Sequence, residues 1–119
     1  MNDFLHAVAN FLPTKIERVL WDGDSLIVLT KDWNFRTESV WRVSKNEQLL
    51  FACWDSDAYD LIANFSGQSI LEVSWLIDGQ PMDPCFKLSD GRMLNIFCSL
   101  STEPWVMEFA NGAVYLGNS

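Results

Sequence analysis

The chain has 119 residues, 49% of them hydrophobic and including six Trp and eight Phe. That is enough for one domain burying roughly 65% of its unfolded surface, and it argues against disorder. The formal charge is −8 and unevenly placed: no base stands between Lys45 and Lys87, a span that holds Glu47, Asp55, Asp57, Asp60, Glu72, Asp78 and Asp83. A single-sign field of this kind repels phosphate backbones and attracts cations, so it argues against nucleic acid and for a basic partner.

Met1 to Leu12 carries no Lys or Arg ahead of an apolar segment, so no secretory signal is expected. Phe4, Ala7, Val8 and Phe11 instead recur at helical spacing, which predicts a helix over Asp3–Leu12 that Pro13 ends. Strands are expected at Lys15–Trp21 and Ser25–Thr30, joined through Asp22-Gly23, because Gly enters the positive-φ region of tight turns without steric cost. Further strands follow at Ser39–Val43 and Gln48–Cys53, with Trp33 read as a loop residue. A second helix is expected over Asp55–Phe65. Asp55, Ser56 and Asp57 suit its cap and first turn, Leu61, Ile62 and Phe65 share one side, and Gly67 stands past its end. The remaining strands are Ser69–Ile77, Cys85–Leu88, Met93–Ser99, Trp105–Phe109 and Ala113–Leu116, with turns at Asp90-Gly91 and Asn111-Gly112. Trp105, Met107 and Phe109 alternate with Val106 and Glu108, the period of a half-buried strand.

The pattern repeats. Asn10-Phe11, Ile16, Val19 and Trp21 are matched by Asn64-Phe65, Ile70, Val73 and Trp75 at a constant shift of 54. Asp22-Gly23 through Val28 resembles Asp90-Gly91 through Ile96 at a shift of 68, which implies an insertion around Leu76 to Cys85. Thr37-Glu38 before Trp41 is echoed by Thr102-Glu103 before Trp105, and Leu50-Phe51 by Val114-Tyr115. The expected fold is α+β with β dominant. Two similar helix–strand-meander halves, about 10–53 and 64–116, form one antiparallel sheet core in a single domain, 1–119.

Catalytic groups are sparse. His6 is the one histidine, and Cys53, Cys85 and Cys98 form no CxxC pair, so no zinc site is expected. A Ca²⁺ loop counted from Asp55 would need Gly at its sixth position and Glu at its twelfth, where Asp60 and Ser66 stand. Nucleophile elbows, phosphate loops and dinucleotide fingerprints are absent. Cys53 precedes a helix start, but its surroundings are acidic and no His or Lys is near, so it reads as a core cysteine. The chain is therefore expected to be no enzyme and to take no cofactor or metal. The odd cysteine count fits reduced thiols, and no apolar run approaches the roughly 20 residues that span a bilayer, so a cytoplasmic location without a membrane is expected. Trp33, Trp54 and Trp75 fall near strand ends or loops, where Trp can anchor an interface.

Gly67-Gln68-Ser69-Ile70, Phe86-x-Leu88-Ser89-Asp90-Gly91-x-x-Leu94-x-Ile96, Glu103-x-Trp105 and Asn111-Gly112 together resemble small bacterial β-meander domains. Among these are uncharacterised families and proteins that resemble immunity proteins of contact-dependent growth inhibition and other polymorphic toxin systems. The motifs are turn and core motifs, so the resemblance implies a fold and a toxin-neutralising role but transfers no functional residue. The expected function is accordingly an immunity-type protein that binds a basic toxin, expected to be a nuclease, and covers its active site. The acidic stretch would steer association, with Trp54, Asp55, Asp57, Tyr59 and Asp60 in contact with the partner. The alternative is a small-molecule or carbohydrate-binding module that stacks its ligand on Trp33 and Trp75.

Overall fold

The computed structural model describes residues 2–80, 82–98 and 104–117. Helix α1 (Asn2–Ala9) leads into β1 (Thr14–Trp21), β2 (Leu26–Thr30), β3 (Trp33–Thr37), β4 (Val40–Lys45) and β5 (Gln48–Ala52). Helix α2 (Ala58–Ala63) then leads into β6 (Ser69–Trp75), β7 (Pro84–Leu88), β8 (Met93–Phe97), β9 (Trp105–Phe109) and β10 (Val114–Leu116). The fold is β-dominant: ten strands, all antiparallel to their neighbours, form one sheet in the order β10-β9-β3-β2-β1-β6-β7-β8-β4-β5.

The sheet is not flat. Its centre, β1 against β6, is a short ladder of Thr14↔Ile70 and Lys15↔Ser69, continued by backbone bonds of Ile16 to Gly67 and Gln68. Phe35 on β3 lies 4.8 Å from Phe86 on β7, ring centre to ring centre, although β2, β1 and β6 stand between their strands. At about 4.8 Å per strand, a flat sheet would set them roughly 19 Å apart. The sheet therefore folds at the β1–β6 junction into two five-stranded wings whose inner faces meet. Trp33, Phe35 and Trp105 from the first wing pack with Phe86 and Trp41 from the second in a common core. Phe4 of α1 seals it between Trp75 and Trp105, at 5.4 and 4.7 Å.

Local chemistry explains most strand ends. In β1 the alternation breaks at Glu17 and Arg18, both exposed, because a bulge lies between Ile16 and Arg18. The two-residue turn between Lys45 and Gln48 places both Asn46 and Glu47 at positive φ, 54° and 66°, as a type I′ hairpin requires. Asp22 accepts hydrogen bonds from the backbone N–H groups of Asp24 and Ser25, at 2.8 and 2.7 Å, and so closes the β1–β2 turn.

Three expectations are corrected. Strand β3 stands where a loop was expected. Trp33, Phe35 and Thr37 point inward and Asn34 and Arg36 outward, a clean period of two masked by polar residues of low strand propensity. The Thr30 hydroxyl starts it, accepting from Trp33 N–H at 3.0 Å and donating to the Trp33 carbonyl at 2.7 Å. Helix α2 begins at Ala58 rather than Asp55, and Asp57 at its cap position makes no side-chain capping bond. Gly23 and Gly91 occupy hairpins at different places in the strand order: Gly23 lies between β1 and β2, Gly91 between β7 and β8. Ser99 and the Thr102-Glu103 echo lie outside the described residues.

Candidate functional site

The segment that follows β5 carries all five residues expected to meet a partner. Its backbone is fixed first. Ala52 N–H donates to Asp55 Oδ2 at 2.8 Å, Asp55 N–H returns a bond to the Ala52 carbonyl at 3.0 Å, and Cys53 N–H reaches the Trp41 carbonyl at 3.1 Å. Asp55 is therefore the lock of a tight turn rather than a helix cap. The turn turns Trp54 outward. Helix α2 is anchored by Ala58 and Ile62, both buried, with buried Phe65 just beyond its end. Helical spacing then leaves Tyr59 and Asp60 on the opposite, outer side.

Two large aromatics result at unusual exposure, Trp54 at 67% and Tyr59 at 65%. Asp55, Asp57 and Asp60 are exposed among them. Among the described residues the ion pairs are Lys87–Glu72, at 3.5 Å, and Arg92–Asp90, at 2.7 Å, so these three carboxylates remain uncompensated. The three acids do not share two turns of helix, as their spacing suggested. Asp55 and Asp57 stand in the turn and only Asp60 on the helix. They still belong to one short surface segment beside both aromatics.

Tyr59 also borders a groove of about 490 Å³ between α2 and the outer side of β1, lined by Arg18, Leu20, Asp22 and Ala63 among others. Asp22 at its rim is held below the usual carboxylate range by the Ser25 and Asp24 N–H groups. No sequence pattern marked Arg18 and Leu20 for this position. The β1 bulge that turns Arg18 outward can be read only from the paired strands.

The other aromatics serve the core. Trp33 is 1% exposed and lies 5.9 Å from Phe86, and Trp75 packs against Phe4 and Trp105. The expected pair of stacking platforms is therefore not formed, because β3 draws Trp33 into the sheet interior. Trp41 and Trp105 are both buried, as expected.

Two of the three thiols, Cys85 and Cys98, are held protonated. Burial, followed by the nearby Asp83 charge, pushes Cys85 up to about 11. Burial and then the hydrogen bond and charge of Asp83 push Cys98 up to about 12, and its Sγ donates to the Met82 carbonyl at 3.1 Å. Neither has the thiolate character a nucleophile needs. Among the described residues no three His, Cys, Asp or Glu side chains converge on a metal position, and no helix is long and apolar enough to cross a membrane. No protein-family model, curated protein or solved structure matches the chain.

Proposed function

We propose that the protein is an immunity-type binding module that neutralises a basic toxin, a nuclease being the toxin class that fits, by covering its active site with the Trp54–Asp60 segment. The observation that carries this reading is the joint exposure of Trp54 and Tyr59 beside three uncompensated carboxylates. Exposed aromatic surface of this size costs solvation in a free protein and is repaid when a partner desolvates it. The carboxylates supply the attraction that brings a cationic surface in, and they present it with the charge of a phosphate chain. The site offers binding and no reaction.

The reading expects a toxin gene beside this one, and the test is binding to its product. Replacing Asp55, Asp57 and Asp60 together by Asn should slow association and weaken affinity by orders of magnitude. Trp54→Ala should mainly hasten dissociation. Wild-type association should fall steeply with added salt. Undiminished toxin protection by the triple variant would refute the assignment of this surface.

The two-halves reading of the fold is supported by the sheet order. Exchanging each strand with the one five places on gives the same order reversed, with β1 and β6 at the centre and the hairpins β4–β5 and β9–β10 each placed on the other half's third strand. Registers agree as well. Val19↔Val28 and Trp21↔Leu26 correspond to Val73↔Phe86 and Trp75↔Pro84, and the bulge at Ile16/Arg18 recurs at Ile70/Glu72. The bond from Cys53 N–H to the Trp41 carbonyl has its counterpart from Gly117 N–H to the Trp105 carbonyl, 2.8 Å. On this alignment Asp22-Gly23 corresponds to Asp78-Gly79, and the extra residues in the second half fall in the β6–β7 loop. Asp90-Gly91 was a match of turn chemistry and not of position.

A further inference from the structure

The outer face of the first wing is open to solvent except at its β1 edge, where α2 walls the groove. Two cross-strand rows make it up. One runs Leu116, Val106, Arg36, Ile27, Leu20 across β10, β9, β3, β2 and β1. The parallel row runs Val114, Glu108, Asn34, Leu29, Arg18. Six of the ten side chains are aliphatic, and Val114 and Leu116 are 51% and 43% exposed. The two matching rows of the second wing hold Ala52, Arg42, Asn95, Cys85 and Ser74, and Leu49, Ser44, Met93, Lys87 and Glu72, so that face carries fewer aliphatic side chains.

We propose that this face is where a second copy of the chain docks, as a two-fold symmetric dimer. Of the three charges on this face, Glu108 and Arg18 are self-complementary, and Arg36 is set over Ile27 of the second copy. Glu108 and Arg18 lie in one row, on strands three places apart. A two-fold axis along the strands, midway between β2 and β3, sets Glu108 of one copy over Arg18 of the other, twice. It also sets Val106 over Leu20. The same axis carries the protruding β10, with Val114 and Leu116, past β1 of the second copy. There the groove between β1 and α2, about 490 Å³, is open to receive it. The four strands that overlap, about 4.8 Å apart and about 17 Å long, present roughly 330 Å² of sheet face. That is under half of the roughly 800 Å² per partner of a standard interface, so the dimer is a weak, reversible one. Tyr59 borders the groove and would be partly covered, whereas Trp54 does not line it.

The full-length chain, alone and without any toxin, tests this by sedimentation velocity from micromolar to millimolar concentration. A reversible dimer is expected. Arg18→Glu and Glu108→Arg should each weaken it by about tenfold or more, and the double reversal should restore it to within about threefold. Val114→Asp, at the edge strand, should abolish it independently. All three positions substituted are solvent-facing, and near-UV circular dichroism checks that each variant keeps the native core. A chain that stays monomeric throughout overturns the proposal. So does a dimer indifferent to the charge reversals, which would have to use another face.

Discussion

Gly117 follows the last strand, where a substitution might be expected to be harmless. Its N–H donates to the Trp105 carbonyl at 2.8 Å, and an added Cβ would sit 2.6 Å from Trp105 Nε1, 2.7 Å from Cδ1 and 2.9 Å from Cε2. The indole has nowhere to go. It is 1% exposed, lies 4.7 Å from the Phe4 ring and 5.9 Å from Phe35, and donates through Nε1 to the Met82 carbonyl at 3.1 Å. Overpacking of this kind costs about 1–3 kcal/mol, and loosening one backbone hydrogen bond adds about 1. Gly117→Ala should therefore destabilise by about 2–4 kcal/mol. With an unfolding entropy of about 2.1 cal/mol/K per residue, a chain of this length loses about 4 °C per kcal/mol, so Tm should fall by about 8–16 °C. Scanning calorimetry reads this directly, and a red shift in Trp emission would show β10 peeling from the core. Gly112→Ala is the control: it meets open space but sits at φ 94°, so it should cost only the conformational penalty, about 1–2 kcal/mol. A Tm for Gly117→Ala within about 2 °C of wild type would mean that the chain after β10 does not close over Trp105.

Glu47 holds φ 66° in a turn suited to Asn-Gly, so Glu47→Gly should raise stability by up to about 1 kcal/mol in a urea titration, and a loss would contradict the type I′ geometry. Cys85 and Cys98 titrate above the ordinary thiol value of 9.0 in the folded state, which binds their protons more tightly than the unfolded chain does. Their contribution to stability is therefore complete below about pH 9 and is lost as pH rises toward 11 and 12, and a Cys85→Ala, Cys98→Ala variant should show a shallower alkaline decline. At neutral pH a thiol reagent should modify these two slowly in the native protein and completely in denaturant; rapid native labelling of Cys85 would contradict its burial. Acrylamide, a neutral quencher, should quench Trp54 preferentially, so Trp54→Phe should remove most quenchable emission and leave a blue-shifted core spectrum; equal quenching in the variant would place a second Trp at the surface.

Local chemistry was legible from residues alone. Strand β9 falls at Trp105–Phe109 because alternation is a property of consecutive side chains, and the hairpins at Asp22-Gly23 and Asn111-Gly112 follow from the few residues that accept positive φ. The segment from Trp54 to Asp60 was legible too, since a charge run and neighbouring aromatics need no fold to be seen. What the sequence could not decide was which of its tryptophans reach solvent and which strands meet. Trp33 and Trp54 look alike in sequence, each beside an Asp, yet one is buried and the other exposed. The difference lies in partners distant along the chain. Strand β3 is completed by β9, where Trp33 pairs with Phe109, and Arg36 and Thr37 are held opposite Val106 and Trp105. Trp54 has left the ladder at the turn that Asp55 locks. Pairing of strands some seventy residues apart carries no local signature, because its energy comes from burying two apolar rows against each other and appears only once the sheet has folded onto itself.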